Sequence, residues 1–268
     1  DTFVRARGCA LHVVKLPTAV SALEACTMPA VWCTVHQVLK RAAPRALQQS
    51  LLHAAVGGIG LVAVEYARWL GLATVGTAGG PPKHAVLAQL GVPVRLSSRS
   101  PQAFALGVAR RSRGGRVDLV CNSLSADFIA TSLLALKATG CLQEIGKRGA
   151  WSLQRSSAAV PTARVAVIDL VTDVRLSSQW YQAQLRLLSS QLRRGVAHGL
   201  PRCDFELAQV HAAFHCLRSG DNVGKVVVSS PFHSIVPFSS RAAPGADAVG
   251  GGGCPIAFSV DVVAEIVE

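Results

Sequence analysis

The sequence predicts an α/β fold built on a doubly wound parallel sheet. Short apolar runs alternate with helical stretches of about ten residues, the pattern that βαβ crossovers leave. One of those runs leads straight into the glycine-rich stretch "HAAVGGIG", at the junction of a strand and a helix. Half of the 268 residues are apolar and only 16% are charged, which suits a globular chain with a substantial core.

The apolar runs predict buried strands over Ser50–Ala55, Leu72–Thr77, Val92–Leu96, Val117–Cys121, Gly140–Ile145 and Arg164–Leu170. Helices are expected between most of them, over Ile59–Leu70, Lys83–Leu90, Pro101–Arg113 and Asp127–Lys137. A later helix, Gln179–Arg194, carries Leu185, Leu188 and Leu192 along one face. "LAQVHAAFHCLRSGDNVGKVVVSS" then reads as a helix, a turn and a closing strand. After Pro231 the composition becomes that of a flexible linker, "SSRAAPGADAVGGGGCP", and "IAFSVDVVAEIVE" reads as a short element or the start of a neighbouring domain. The sequence contains no internal repeat.

Composition narrows the function classes. The eight cysteines are scattered, with no C-x-x-C pair, which speaks against a structural zinc site or a disulfide scaffold and for free thiols in a reducing compartment. No apolar run approaches the roughly 18–20 residues that span a bilayer. The start, "DTFVRARGCALHVVKLP", lacks both an initiator Met and a secretory h-region, so a segment of a longer polypeptide is expected. The formal charge of +12 comes from dispersed arginines with few aromatics, which disfavours nucleic acid. It suits a field that draws in phosphorylated ligands or an acidic carrier protein, or a basic surface with no role.

The motif with chemistry in it is the glycine turn. An apolar strand ends at Leu51 and Leu52, Gly57, Gly58 and Gly60 follow, and Ile59, Val62, Tyr66, Trp69 and Leu70 recur at helical spacing behind them. That order is the context of a Rossmann-type dinucleotide fingerprint, in which glycines let backbone amides approach a pyrophosphate at a helix N-terminus. A merely structural bend is the alternative. The second strand ends in "VGTAGGPPKH", without the carboxylate that an NAD site usually holds for the ribose hydroxyl. Thr77 and Lys83, joined by Arg99 and Ser98 from "SSRS", would instead welcome the 2′-phosphate of NADPH. Lys83 as an ordinary solvated lysine opening a helix is the competing interpretation. Asn122 and Ser123 end another strand on the cofactor face, either to contact the nicotinamide end or to start a helix-entry turn.

The runs "LLHAAVGGIGLVAVEYARWLG", "LGVPVRLSSRS", "GGRVDLVCNSLSADFIATSLLALKATGCLQEIGKR" and "GKVVVS" resemble the enoyl reductase domain of polyketide synthases and animal-type fatty acid synthases. The resemblance covers about Val14 to Ser230, and "NSL…EIGKR" is its specific part. That domain belongs to the zinc-free medium-chain dehydrogenase/reductases. The resemblance implies a cofactor domain inserted in a GroES-like substrate domain, and NADPH-dependent reduction of an enoyl thioester held on the phosphopantetheine arm of an acyl carrier protein. It also implies other synthase domains in the same polypeptide, no membrane span and a cytoplasmic or organelle-stromal location. Lys147 falls where the family places a proton-donating lysine, and Asp169 in "RVAVIDL" where it places a companion aspartate. Taken by themselves, the first would be a solvated strand-end lysine and the second a turn or capping residue. His53 matches a family histidine, packing at the strand end or touching the cofactor, while Gly224 and Lys225 match the closing motif whose lysine approaches the phosphates.

The implied organisation is a substrate-domain remnant and approach helix over 1–40, a Rossmann-type NADP-binding domain over 41–170, a helix and return strand over 171–230, and a tail over 231–268. Most of the GroES-like half that precedes this region in the family is missing from the sequence, and Val35 follows Thr34 where the family commonly has alanine. Two other functions therefore stay open, a quinone or enone reductase of small molecules and a non-catalytic remnant.

Overall fold

The computed structural model describes residues 14–111, 116–125, 127–147, 149–229 and 257–259. The strands β1 (Gln49–Leu52), β2 (Ala73–Ala78), β3 (Val94–Ser97), β4 (Val117–Asn122), β5 (Leu136–Glu144) and β6 (Arg164–Val167) form one six-stranded sheet in the order β3-β2-β1-β4-β5-β6. All its pairings are parallel. The chain winds outward from β1 to β3, returns to lay β4 against the other side of β1, and winds outward again. The crest between β1 and β4 is therefore a topological switch point, where sheets of this kind leave a crevice at the carboxyl ends of their strands.

Period-2 alternation gives each face of the sheet its own core. Leu51, Val120 and Leu142 point to one side, with Phe104, Phe128, Ile129 and Leu133, while Leu52 and Cys121 point to the other, with Val35, Val62 and Leu188. The helices of the first layer are α5 (Pro101–Arg111) and α6 (Asp127–Ala135). The second layer holds α2 (Pro29–Ala42), α3 (Gly58–Trp69) and α9 (Ser178–Arg193), whose interior stripe includes the predicted Leu185 and Leu188.

A short α1 (Ala22–Ala25) precedes these, and α4 (Pro81–Gln89) joins β2 to β3. A second sheet follows, with β7 (Arg202–Glu206) parallel to β8 (Lys225–Ser229) and β9 (Ala257–Ser259) antiparallel to β8. Between β7 and β8, α10 (Val210–Ser219) packs on both. A backbone bridge between Gly57 and Gly224 ties the second sheet to the start of α3.

The expected strands and helices before β5 are present, with shifted ends. The helix expected over Asp127–Lys137 stops at Ala135, and β5 begins at Leu136 instead of Gly140. The strand expected to reach Leu170 stops at Val167, because Asp169 caps a helix of its own, α8 (Leu170–Leu176). A further short helix, α7 (Leu153–Ala159), and the strand β7 were not expected. Residues 231–268 and the tail assigned to them lie outside the described residues, apart from the backbone of β9. No helix among the described residues is long and apolar enough to cross a membrane.

Candidate active site

The glycine turn sits at the switch point. After β1, His53 donates its backbone N–H to Cys121 O (3.1 Å), Ala55 to Thr77 O (2.8 Å) and Gly57 to Ala54 O (2.8 Å), which folds the chain tightly before α3 begins. Gly57 is the N-cap of α3 and, having no side chain, offers no capping oxygen, and the first turn holds no acid. Its amides thus present the positive end of a helix dipole without a built-in anion. A Cβ on Gly60 would meet Ala54 O at 2.4 Å and Ala55 Cα at 2.5 Å, so the third glycine is required for helix and strand to approach this closely. A Cβ on Gly58 would lie 3.0 Å from the Cδ and Cε of Lys225. The stem of that buried lysine lies over the turn, and Gly224 N–H donates to Val56 O (2.8 Å) beside it. Gly57, Gly58, Gly60, Gly224 and Lys225 are thus brought together as a cradle that fits a diphosphate.

Beneath the turn runs a hydrogen-bonded chain whose polarity follows from donor counting. The Ser132 hydroxyl has one proton and donates it to Phe128 O (2.6 Å), so it accepts from His53 Nε2–H (2.7 Å). His53 Nδ1 is then an acceptor and receives the Thr77 hydroxyl proton (3.2 Å), while Thr77 Oγ1 accepts Ala54 N–H (3.0 Å). His53, Thr77 and Ser132 are all buried, and burial pulls the His53 imidazole down to about 3, so it is neutral at ordinary pH. This corrects the expectation for Thr77: its hydroxyl is consumed inside the strand end and supports the turn, where it cannot also face a 2′-phosphate. His53 takes the packing role of its two alternatives, sealed among Phe104, Phe128 and the sheet.

At the end of β2, Lys83 and Arg99 converge. Lys83 Nζ donates to Gly220 O (2.6 Å), and the Arg99 guanidinium to Ser219 O (2.9 Å) and Gly220 O (3.1 Å). Arg99 lies over Gly79, where an added Cβ would fall 2.9 Å from Nε. Partial burial, and next the Arg99 charge, depress the Lys83 pKa, with the Asp221 carboxylate acting in the opposite sense. Ser98 joins this corner through its backbone N–H, bonded to Ala78 O (2.9 Å).

The third cluster crowns β4 and β5. Asn122 is fully buried and donates from Nδ2 to Leu124 O (2.8 Å) and to Glu144 Oε2 (2.6 Å), so its amide fixes the crest. Glu144 Oε1 accepts Gly146 N–H (2.7 Å). Burial pushes the Glu144 carboxyl above its ordinary range against these two donors. The Ser123 hydroxyl oxygen is buried beside them with no hydrogen-bond partner. One residue beyond Gly146, Lys147 Nζ stands 4.0 Å from Asp169 Oδ1. Both side chains are about half exposed (54% and 43%), so the pair contributes only about 0–1 kcal/mol to stability. Asp169 also caps α8, accepting from Val171 N–H (3.2 Å) and from the Thr172 hydroxyl (2.6 Å). That hydroxyl first, opposed by slight burial and assisted by Lys147, holds its carboxyl below the ordinary range. The capping alternative and the lysine partnership therefore coexist in one side chain. Arg41 fixes the corner from α2, donating to Val167 O (2.7 Å) and pairing with Asp173 of α8 (2.7 Å).

Two acids of the site, Glu144 and Asp221, were not among the expected residues. The signal for Glu144 was present, as a carboxylate inside the apolar run "GCLQEIG" demands a partner once that run is a buried strand. Nothing local in the sequence marks Asp221.

Residues 90–228 match the zinc-binding dehydrogenase family. A phenolphthiocerol/phthiocerol polyketide synthase from Mycobacterium tuberculosis is 30% identical over 227 residues, 84% of this chain and 10% of that protein. The chain thus spans about a tenth of the length of the curated relatives it matches. The crystal structure of CurK enoyl reductase superposes with a TM-score of 0.77 at 32% identity, covering 84% of this chain and 67% of that one. A mycobacterial protein solved with NADPH shares the fold, with a TM-score of 0.70 at 23% identity over 80% of this chain and 66% of its own. Among the described residues no group of three or more His, Cys, Asp or Glu is placed to hold a metal ion. The described residues thus offer no ligand set for the zinc of the family's name.

Proposed function

The chain belongs to the zinc-binding dehydrogenase family, and from that premise we propose that it carries the cofactor site and proton-donating pair of an NADPH-dependent enoyl reductase acting on a carrier-bound thioester. The observation that carries the proposal is the meeting of Lys147, just after β5, and Asp169, just after the neighbouring β6, at 4.0 Å and at the same carboxyl end of the sheet as the glycine turn.

The division of labour follows from position. The amides of Gly58 and Gly60, with Lys225 above them, hold the diphosphate, and Lys83 and Arg99 face the ribose phosphate. When bound, NADPH supplies a hydride to the β-carbon of the enoyl group. The Lys147 ammonium holds the proton due at the α-carbon and stabilises the enolate oxygen beside it. Asp169 aims that ammonium. Asn122, Glu144 and Gly146 fix the loop on which Lys147 rides. Other synthase domains in the same polypeptide, and an acyl carrier protein delivering the thioester to a chain of +12 formal charge, complete the proposed setting.

The test is NADPH oxidation with a crotonyl thioester. Lys147→Ala is expected to lower kcat by about 10²–10⁴-fold while NADPH affinity holds. Binding of NADPH without turnover of any enone would instead mark a non-catalytic remnant. Preference for free quinones over thioesters would assign the chain to small-molecule reduction.

A further inference from the structure

One short turn reaches both ends of the proposed cofactor groove. At its start, the last carbonyls of α10, those of Ser219 and Gly220, receive Lys83 and Arg99 within 2.6–3.1 Å. These carbonyls form the negative end of the helix dipole, so the cations are seated there before any phosphate arrives. Gly220 adopts φ +64, and a Cβ on it would fall 2.7 Å from the Arg99 guanidinium nitrogen Nη2, so the bare turn shapes the seat of the arginine. At its far end Gly224 bridges to Gly57, and the Lys225 stem covers Gly58. Between the two lies Asp221, its backbone N–H donating to the Ser219 hydroxyl (3.2 Å) and its side chain exposed.

We infer that this turn selects the cofactor, and that Asp221 moderates the preference for the 2′-phosphorylated nucleotide by placing a carboxylate beside the seat of Lys83 and Arg99. The inference rests on the assignment of that corner to the adenosine ribose. Two cations alone would favour a doubly charged phosphate strongly. A neighbouring carboxylate weakens that attraction and can itself accept a ribose hydroxyl, the interaction that sustains NADH binding. The Asp221 charge also acts on Lys83, in the sense opposite to Arg99. Asp221 follows Gly220 directly, and the two cations share the Gly220 oxygen, so position and charge agree.

The experiment is a fluorescence titration of the whole chain with NADPH and with NADH, for the wild type, Asp221→Asn and Gly220→Ala. Asp221→Asn is expected to tighten NADPH by about two- to fivefold and leave NADH unchanged or weaker, the range of an exposed charge pair. The difference should shrink as salt rises. Gly220→Ala, which displaces Arg99, is expected to weaken NADPH and spare NADH. Asp221→Asn is a surface change that keeps the backbone, so it remains informative if Gly220→Ala fails to fold. An Asp221→Asn protein whose NADPH-to-NADH ratio equals that of the wild type overturns the inference. A wild type that binds neither nucleotide overturns the cofactor assignment itself, and with it the role of the turn.

Discussion

Replacing Thr77 with valine removes one hydroxyl at nearly constant shape, and the structure states what that hydroxyl does. Two groups lose their partner, the part-buried Ala54 N–H it accepts at 3.0 Å and the buried His53 Nδ1 it donates to at 3.2 Å. Thr77 is fully buried, so water cannot replace it without opening the strand end. An orphaned buried polar group costs about 1–3 kcal/mol, so Thr77→Val should destabilise the chain by about 2–5 kcal/mol. For a domain of this size that lowers Tm by roughly 5–15 °C, read by thermal or urea unfolding. Thr77→Ser keeps the hydroxyl and gives up one methyl, which costs only about 1 kcal/mol. The reasoning is refuted if valine is tolerated within about 1 kcal/mol, or if serine and valine are equally harmful, since packing alone would then explain the position. It is refuted as well if Thr77→Val melts like the wild type but loses NADPH relative to NADH, which would restore the direct phosphate contact.

The same hydrogen-bonded chain predicts a pH dependence. His53 in the folded chain titrates near 3, against 6.5 when exposed, so the unfolded state binds the extra proton between those values. Stability should therefore be fully present above pH 6.5 and fall by about 1.4 kcal/mol per pH unit as the pH drops through that window. Urea midpoints measured from pH 7 to pH 4 should fall less steeply in His53→Gln than in the wild type, and parallel slopes would contradict the assignment. Gly60→Ala should abolish NADPH binding and destabilise the chain, because the added Cβ meets backbone at 2.4–2.6 Å, where nothing can swing aside. An alanine variant that binds and melts normally would show that α3 can retreat from β1.

What was legible in the sequence follows from how local each signal is. The glycine turn was readable because strand, turn and helix are contiguous and their periods differ. Lys147 and Asp169 were placed by a resemblance, and no spacing argument would have paired them, since it is the pairing of β5 with β6 that brings them together. Thr77 was misread because a strand-end residue points either out of the sheet edge or under the neighbouring turn, and the one-dimensional pattern does not say which. β7 was missed because "RCDFE" has no apolar run, its residues being half-buried or exposed under a helix. Asp221 was invisible for a stronger reason. Its neighbour Gly220 lies 137 positions from Lys83, and only the return of the chain through α10 puts them side by side.

The bridge between Gly57 and Gly224 joins the glycine turn to the residue just before β8. A ribosome would thus release a floor long before it released the roof, and a nascent chain halted anywhere in between would hold an open shelf. On the proposed cofactor assignment, nucleotide retention would begin only once the chain has been made and folded through β8, which a pulse-labelled, stepwise-truncated series would register as an abrupt step.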